Sequence, residues 1–166
     1  MTLSAAGLMK LGLSYPTWRL PVTRLAHVHQ VNVVRLWQEA SESAASQTWI
    51  CERDLLVERG RLGQWHIGDA AVTQSDVAGP VSNEPHWLVE VELTPKTRSR
   101  YVSEVFESLH PSVRGLAYFC PPKLLERIQR DVTTAQGQAR RGRDVRLTFR
   151  ELPSLEDVDA ACRDGE

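Results

Sequence analysis

The sequence lacks the patterns that mark several large classes of protein. Its three cysteines, Cys51, Cys120 and Cys162, are far apart and include no CxxC pair, so neither a disulfide framework nor a zinc ribbon is supported. No apolar run approaches the roughly 18 residues that a membrane-spanning helix needs, and no signal-peptide pattern is present. The motifs GxGxxG, GxxxxGK(S/T), HExxH and GxSxG are also absent, so the sequence offers no dinucleotide, P-loop, zinc-protease or hydrolase-elbow site. We therefore expect a cytoplasmic protein with reduced thiols and no membrane partner.

Composition and charge predict one globular domain whose charge is distributed unevenly along the chain. The chain has 166 residues, of which 42% are apolar and 25% are charged, and its net charge is only −1. Residues 95–150 hold 12 Lys and Arg against 5 Asp and Glu, whereas residues 151–166 hold 1 against 6. The basic block suits nucleic-acid phosphates, although charge runs are more often plain solvated surface. We predict an arm or linker over 1–20, a domain over 21–152 and an acidic, disordered tail over 153–166.

Apolar periodicity predicts an α/β domain with a mixed central sheet flanked by helices. Helical spacing covers 22–43, 97–111 and 121–132, and 133–143 has the composition of a basic loop or a frayed helix end. Strand patterns cover 48–58, 65–73, 86–94, 113–120 and 145–152. Three consecutive strands indicate hairpins or a meander, and the later alternation with helices indicates parallel pairing.

The most unusual local feature is a pair of acidic residues inside an apolar strand. Glu90 and Glu92 lie two positions apart and therefore on one face of the strand. Two buried carboxylates without partners would be costly, and a bound cation resolves the conflict. Asp69, on the preceding strand pattern, supplies a third oxygen ligand, and Lys96 follows the strand end. The pattern predicts a site that holds Mg²⁺ or Mn²⁺ through Asp69 and Glu90.

An alternative interpretation needs no metal. Glu90 and Glu92 would then line a solvent-facing side of the sheet and pair with Lys96, Arg98 or Arg100. From spacing alone the two interpretations are about equally supported. Three further residues are accessory candidates at such a site, although a surface position is favoured for each of them: Glu39, Glu52 and His27.

Several stretches of the sequence resemble a known family. The resemblance covers most of residues 20–150, and EVELTPK is its most specific segment. The family is the replication-relaxation proteins of actinobacterial plasmids and integrative conjugative elements. The matching blocks, in order, are LAHVHQVN (25–32), WICERDL (49–55), WHIGDAAV (65–72), WLVEVELTPKTRSRY (87–101) and VRGLAYFCPP (113–122).

This resemblance implies a setting rather than a reaction. In the family, a winged-helix DNA-binding region commonly precedes the segment seen here, so the chain resembles the C-terminal domain alone. The implied partners are DNA and a separate DNA-binding or mobile-element transfer protein, with a homodimer left open. The implied location is the nucleoid or a plasmid in the cytoplasm. The residues expected to contact DNA are Lys96, Arg98, Arg100, Arg140, Arg141 and Arg143.

The order of elements, with Asp69 and Glu90, also resembles the PD-(D/E)xK nucleases. That superfamily has a restriction-endonuclease-like αβββαβ core, and its motif carries two metal-binding carboxylates and a lysine. The resemblance implies catalytic roles for Asp69, Glu90, Glu92 and Lys96. Two departures exist: Gly68 replaces the proline before Asp69, which is a mild change by sequence, and Glu92 stands at the lysine position, where Lys96 would substitute.

Three functions stay open at this stage. The first is a divalent-metal-dependent DNA endonuclease or nickase. The second is a catalytically inactive nuclease-fold module that binds DNA or a partner protein. The third is a scaffold or dimerisation domain whose strand glutamates are surface charges. Fold resemblance does not choose among them.

Overall fold

Five strands form one mixed β-sheet, with helices on both faces. The computed structural model describes residues 22–41, 47–62, 65–73, 86–141 and 144–164, so the predicted arm over 1–20 lies outside the described residues. The strands are β1 (Thr48–Cys51), β2 (Ala70–Thr73), β3 (His86–Val91), β4 (Val113–Cys120) and β5 (Arg146–Glu151). The helices are α1 (Leu25–Ser41), α2 (Glu52–Leu62), α3 (98–108), α4 (Pro122–Gln138) and α5 (Leu155–Asp164).

The sheet order repeats the chain order, from β1 to β5. β1, β2 and β3 pair antiparallel, whereas β3, β4 and β5 pair parallel. The parallel connections run through α3 and α4, because a parallel pair needs a long crossover between its strands. The α/β class and the mixed sheet flanked by helices are therefore confirmed.

Two apolar layers cover the two faces of the sheet. On one face, Leu88 and Leu116 join a large cluster built with α3 and α4. On the other face, Val89 and Val91 pack with Val34 of α1 in a smaller cluster. β3 is the third of the five strands and is buried on both faces, which explains the near-continuous apolar run that marks it in the sequence.

The first predicted strand is wrong in its second half. β1 ends at Cys51, and Glu52 begins α2. Glu52 and Asp54 lie in the first helical turn, where negatively charged carboxylates stabilise the helix by interacting with its dipole. Leu55 is buried while Leu56 is exposed. This one-sided burial and the helix-favouring Glu and Arg residues stabilise a helix here, although the apolar residues suggested a strand.

Helix α4 is longer than the sequence pattern suggests. The segment 133–143, predicted as a basic loop or a frayed helix end, is helical as far as Gln138. Ile128, Val132 and Ala135 are fully buried and continue one stripe along this helix, so packing on the sheet extends it past the predicted end.

The predicted disordered tail contains a helix. α5 packs against α1. Its start is a reciprocal cap: the Ser154 Oγ accepts from the Asp157 N–H at 3.1 Å, and the Asp157 carboxylate accepts from the Ser154 N–H at 2.7 Å. The S-x-x-D pattern at 154–157 is the sequence signal for this start, and the acidic composition obscures it.

In the part of the chain that the structure describes, no helix combines the length and apolar character that crossing a membrane requires.

Candidate functional site

The four residues predicted for catalysis line one pocket beyond the C-terminal end of β3. This carboxylate pocket has a volume of about 310 Å³. Asp69 reaches it from the turn before β2, Glu90 from β3, and Glu92 and Lys96 from the segment after β3. His27, predicted as an accessory residue, lines the pocket from α1. The antiparallel β2–β3 pairing and the packing of α1 on the sheet bring these segments together.

Asp69 is held by backbone groups of β3 and by His27. Its Oδ2 accepts a hydrogen bond from the Val91 N–H at 2.7 Å, and its own N–H donates to the Val89 carbonyl at 2.9 Å. The His27 Nε2 lies 3.3 Å from the Asp69 Oδ1 and 3.1 Å from the Val91 carbonyl oxygen. The hydrogen bond to Asp69 raises the pKa of His27, although partial burial opposes this effect. His27 and Asp69 therefore form a half-buried ion pair at mildly acidic pH.

Gly68 is required by the close approach of β3. A Cβ atom at this position would lie 2.8 Å from the Val89 carbonyl oxygen and 3.1 Å from the Glu90 Oε1. A proline, or any residue with a side chain, would meet backbone that cannot move cheaply. The replacement of the motif proline by Gly68 is therefore not the mild change that the sequence suggested. The absence of a side chain at Gly68 allows the Glu90 carboxylate to lie against the backbone just before Asp69.

Glu90 is bound by a histidine to which the sequence assigned no role. The His66 Nε2 lies 2.6 Å from the Glu90 Oε1, a short distance typical of a charge-assisted hydrogen bond. The backbone N–H of His66 donates to the Ser108 carbonyl at 2.6 Å, which ties this segment to the end of α3. The contact of His66 with Glu90 depends on tertiary packing. The sequence signal for it is limited to the position of His66, three residues before Asp69.

Glu92 and Lys96 form an ion pair in the lining of the pocket. The Lys96 Nζ donates to the Glu92 Oε2, and the Lys96 N–H donates to the Tyr101 hydroxyl at 3.3 Å. Burial raises the pKa of Glu92 despite the attraction of Lys96. Burial lowers the pKa of Lys96, but Glu90 and Glu92 outweigh this effect and leave it raised. Burial thus favours the protonated form of Glu92, and Lys96 stays charged.

The alternative interpretation of the two glutamates is wrong about their exposure and right about the pairing of Glu92 with a cation. Glu90 is 5% exposed and Glu92 is 6% exposed, so neither faces solvent. The pairing of Glu92 with Lys96 that this alternative predicts is nevertheless present.

The other two accessory candidates differ from each other. Glu52, at the start of α2, has its pKa raised by burial and by the charge of Asp69, so it lies within electrostatic reach of the pocket. Glu39 is half-exposed, and its Oε1 accepts from Arg35 at 2.7 Å on the surface of α1. Glu39 does not line the carboxylate pocket.

The predicted DNA-contacting arginines are divided between two places. Arg98 contacts Asp131 at 3.3 Å, and Arg100 contacts Glu104 at 2.8 Å, and neither arginine lines the carboxylate pocket. Arg140 and Arg141 line a second cavity of about 690 Å³. Arg143 lies outside the described residues.

The fit of a divalent cation depends on Asp69 and Glu90. Carboxylate oxygens are the ligands that Mg²⁺ prefers, and Mg²⁺ is usually bound by one or two carboxylates together with substrate phosphates and water. Among the described residues, no group of three or more His, Cys, Asp and Glu is arranged to hold a metal ion. The donor chemistry fits a two-carboxylate site, and it does not provide a cage made of protein ligands alone.

Comparison of the chain with protein-family models, with curated proteins and with solved structures finds no match.

Proposed function

We propose that this chain is a nuclease-like domain that acts on DNA phosphodiesters in the replication or transfer of a plasmid or other mobile element. One observation carries the proposal: Asp69, Glu90, Glu92 and Lys96, from three separate segments, line a single pocket at one end of the sheet. Carboxylates of neighbouring strands beside a lysine are the groups that metal-assisted phosphodiester hydrolysis uses. The mobile-element setting comes from the family resemblance.

The topology supports a restriction-endonuclease-like core as part of this proposal. The elements α1, β1, β2, β3, α3 and β4 follow one another in the αβββαβ order, with antiparallel pairing up to β3 and parallel pairing after it. Helix α2, between β1 and β2, is an addition to that order.

Each pocket residue has a role within the proposal. Asp69 and Glu90 would hold Mg²⁺ or Mn²⁺, which supplies Lewis-acid polarisation of a phosphoryl oxygen when bound. Glu92, whose burial raises its pKa, would accept a proton from the attacking water. Lys96 would stabilise the negative charge that develops on the phosphate. His27 and His66 position the two metal-binding carboxylates.

A second candidate function is a catalytically inactive module of the same fold that binds DNA or a partner protein. A specific observation favours it: His27, His66 and Lys96 each contact one of the pocket carboxylates. Each of these carboxylates thus already has a partner among the chain's own side chains, so no cation is needed to satisfy its hydrogen bonding.

Metal titration with matched variants tests the proposal. Isothermal titration of the wild type with Mg²⁺ and with Mn²⁺, alone and with DNA, is compared with Asp69→Asn/Glu90→Gln. The control is Glu39→Gln/Glu104→Gln, which removes two exposed carboxylates that contact arginines outside the pocket. Plasmid, branched and single-stranded DNA then serve as cleavage substrates.

The proposed enzyme binds metal and cleaves at least one of these DNAs. It loses both properties in Asp69→Asn/Glu90→Gln and keeps them in the control. Cleavage that survives in the pocket variant overturns the assignment of the site. No metal binding and no cleavage by the wild type overturns the enzyme and leaves the binding module, for which DNA affinity would fall steeply with salt.

A further inference from the structure

We infer that the second cavity is a nucleotide-binding site, separate from the carboxylate pocket, that takes an unpaired nucleotide of a single-stranded nucleic acid. We call it the arginine cavity. The residues that carry the argument are Trp65, His110, Arg114, Arg140, Arg141 and Asp144, and all six line it. Its volume of about 690 Å³ lies within the range of about 300–1,000 Å³ found for small-molecule sites.

The arginine cavity and the carboxylate pocket lie at opposite ends of the sheet. The cavity includes Val113, where β4 begins, and Val145, just before β5. The carboxylate pocket includes Val91, whose register partner is Phe119 near the other end of β4. Six residues of strand separate Val113 from Phe119, a distance of about 20 Å. A ligand in one site therefore does not fill the other.

The guanidinium groups of the arginine cavity lack the carboxylate partners that several other arginines of the described chain have. Arg35, Arg98, Arg100, Arg127 and Arg130 all have a carboxylate oxygen within 4.0 Å. Within the described ranges, the side chains of Arg114, Arg140 and Arg141 make no such ion pair. The backbone N–H of Arg140 donates to Glu107 at 2.6 Å, which positions the chain just after α4. Three arginines and one carboxylate, that of Asp144, line the cavity, so the lining carries a net positive charge, although the Glu107 carboxylate lies beside Arg140.

Phosphate is the anion that suits this set of side chains. The planar guanidinium forms two parallel hydrogen bonds to phosphate oxygens, and several guanidiniums around one cavity accommodate a dianion or successive phosphates. Trp65 and His110 add aromatic surface, and their rings pack edge to face with centroids 5.0 Å apart. Arginine together with aromatic side chains is the combination that binds the backbone and the bases of single-stranded nucleic acid.

The shape of the site favours an unpaired base. A base inside a duplex is stacked and paired, so it reaches a concave cavity only after leaving the stack. A single strand presents its bases at little cost, and stacking on an aromatic side chain is tolerant of sequence. We therefore expect binding of single strands with little base preference and with weaker binding of duplex.

Fluorescence anisotropy of a short fluorescein-labelled oligothymidylate tests the inference. The test variant is Arg114→Gln/Arg141→Gln. The control is Arg127→Gln/Arg130→Gln, which removes the same charge from exposed positions of α4 that do not line the cavity. We expect the test variant to weaken binding by about tenfold or more, and the control to change it much less. Circular dichroism confirms that both variants are folded.

Competitors distinguish the sources of the ligand. Displacement of the oligonucleotide by free thymidine monophosphate indicates a site for a single nucleotide, and displacement only by unlabelled strand indicates a site that needs neighbouring phosphates. Both results support the nucleotide chemistry. Equal weakening in the two double variants overturns the inference, because general charge attraction then explains binding. The inference is also overturned if polyglutamate of equal charge displaces the oligonucleotide as effectively as the unlabelled strand does.

This inference stands apart from the proposed nuclease activity. Asp69→Asn/Glu90→Gln leaves the arginine cavity intact, so we expect this variant to bind the oligothymidylate like the wild type. Binding of the oligothymidylate by a wild-type protein that cleaves none of the DNA substrates would count against the nuclease proposal and leave the nucleotide site in place.

Discussion

The Nε2 atom of His66 lies 2.6 Å from the Oε1 atom of Glu90, and only 13% and 7% of these two side chains are exposed. The contact joins the segment before β2 to the central strand. His27 makes the corresponding contact to Asp69 from α1. The two carboxylates proposed to hold a metal are therefore each positioned by a histidine from a different part of the chain.

The close approach at Gly68 predicts a large effect for a small substitution. We expect Gly68→Ala to lower the free energy of unfolding by about 1–3 kcal/mol, because its Cβ would press on the Val89 carbonyl oxygen. The matched control is Gly137→Ala in α4, where an added Cβ meets nothing within 4 Å. The control should stabilise the protein by about 0.5–1 kcal/mol, since alanine favours a helix. Urea denaturation measures both, and equal effects of the two substitutions would contradict the packing argument.

The contact of His27 with Asp69 predicts a pH-dependent contribution to stability. Because the folded state raises the pKa of His27 above its ordinary value of 6.5, the contribution is complete below 6.5 and is lost as pH rises through the folded-state pKa. We expect His27→Gln to destabilise the protein more at about pH 5.5 than at about pH 8.5. Urea denaturation at both pH values measures the difference. His29→Gln, at an exposed position of the same helix, is the control, and a His27→Gln effect that does not change with pH would refute the ion pair.

The Glu92–Lys96 pair predicts strong coupling between two substitutions. Lys96→Met leaves a buried carboxylate without its cation, and we expect a loss of about 1–3 kcal/mol in the free energy of unfolding. Adding Glu92→Gln removes that charge, so the double variant should be more stable than the sum of the single effects indicates. The exposed pair of Arg35 and Glu39 provides the control cycle, with Arg35→Met and Glu39→Gln, and it should show little coupling. Additive effects in the Glu92–Lys96 cycle would show that the pair contributes no specific stabilisation.

The three cysteines predict an order of reaction with a thiol reagent. Cys162 is exposed on α5, whereas burial raises the pKa of Cys51 and raises that of Cys120 to about 12. Labelling with a chromogenic disulfide at about pH 8 should modify Cys162 first, Cys51 more slowly and Cys120 only after unfolding in urea. Cys162→Ser should remove the fast phase. A native protein in which Cys120 reacts as fast as Cys162 would contradict the burial of β4.

The fold is predictable from the sequence where burial is strongest. The pattern VRGLAYFC predicts β4 with both of its ends correct, because a fully buried strand leaves a continuous apolar run. α2 is missed because the apolar run of Leu55, Leu56 and Val57 resembles part of a strand. Tertiary packing buries Leu55 and leaves Leu56 and Val57 exposed, and the sequence pattern does not show this difference. α5 is missed because its acidic composition outweighs the short capping signal at Ser154.

The candidate site is predictable only in part, for a related reason. Asp69 lies one residue before β2, and Glu90 and Glu92 lie at and just past the end of β3, so the pairing of these neighbouring strands brings the three carboxylates together. Period-two alternation is the local rule that indicates Glu90 and Glu92 from the sequence. His27 donates to the Val91 carbonyl across 64 residues of sequence, and no periodicity encodes a contact of that kind. The sequence therefore indicates the carboxylates, Lys96 and, as an accessory candidate, His27, whereas the contacts of His27 with Asp69 and of His66 with Glu90 follow from the packing of α1 and of the segment before β2.

Strand order in the sheet bears on how the chain acquires its structure during synthesis. Each strand pairs only with its sequence neighbours, so a chain leaving the ribosome adds one strand at a time without waiting for a distant segment. The lining of the carboxylate pocket comes from residues 23–96, whereas the arginine cavity is complete only once Val145 has been made. The packing of α5 on α1 is the last of these contacts to become available. Because α1 carries His27, the end of the described chain completes the support of a pocket whose residues were synthesised first.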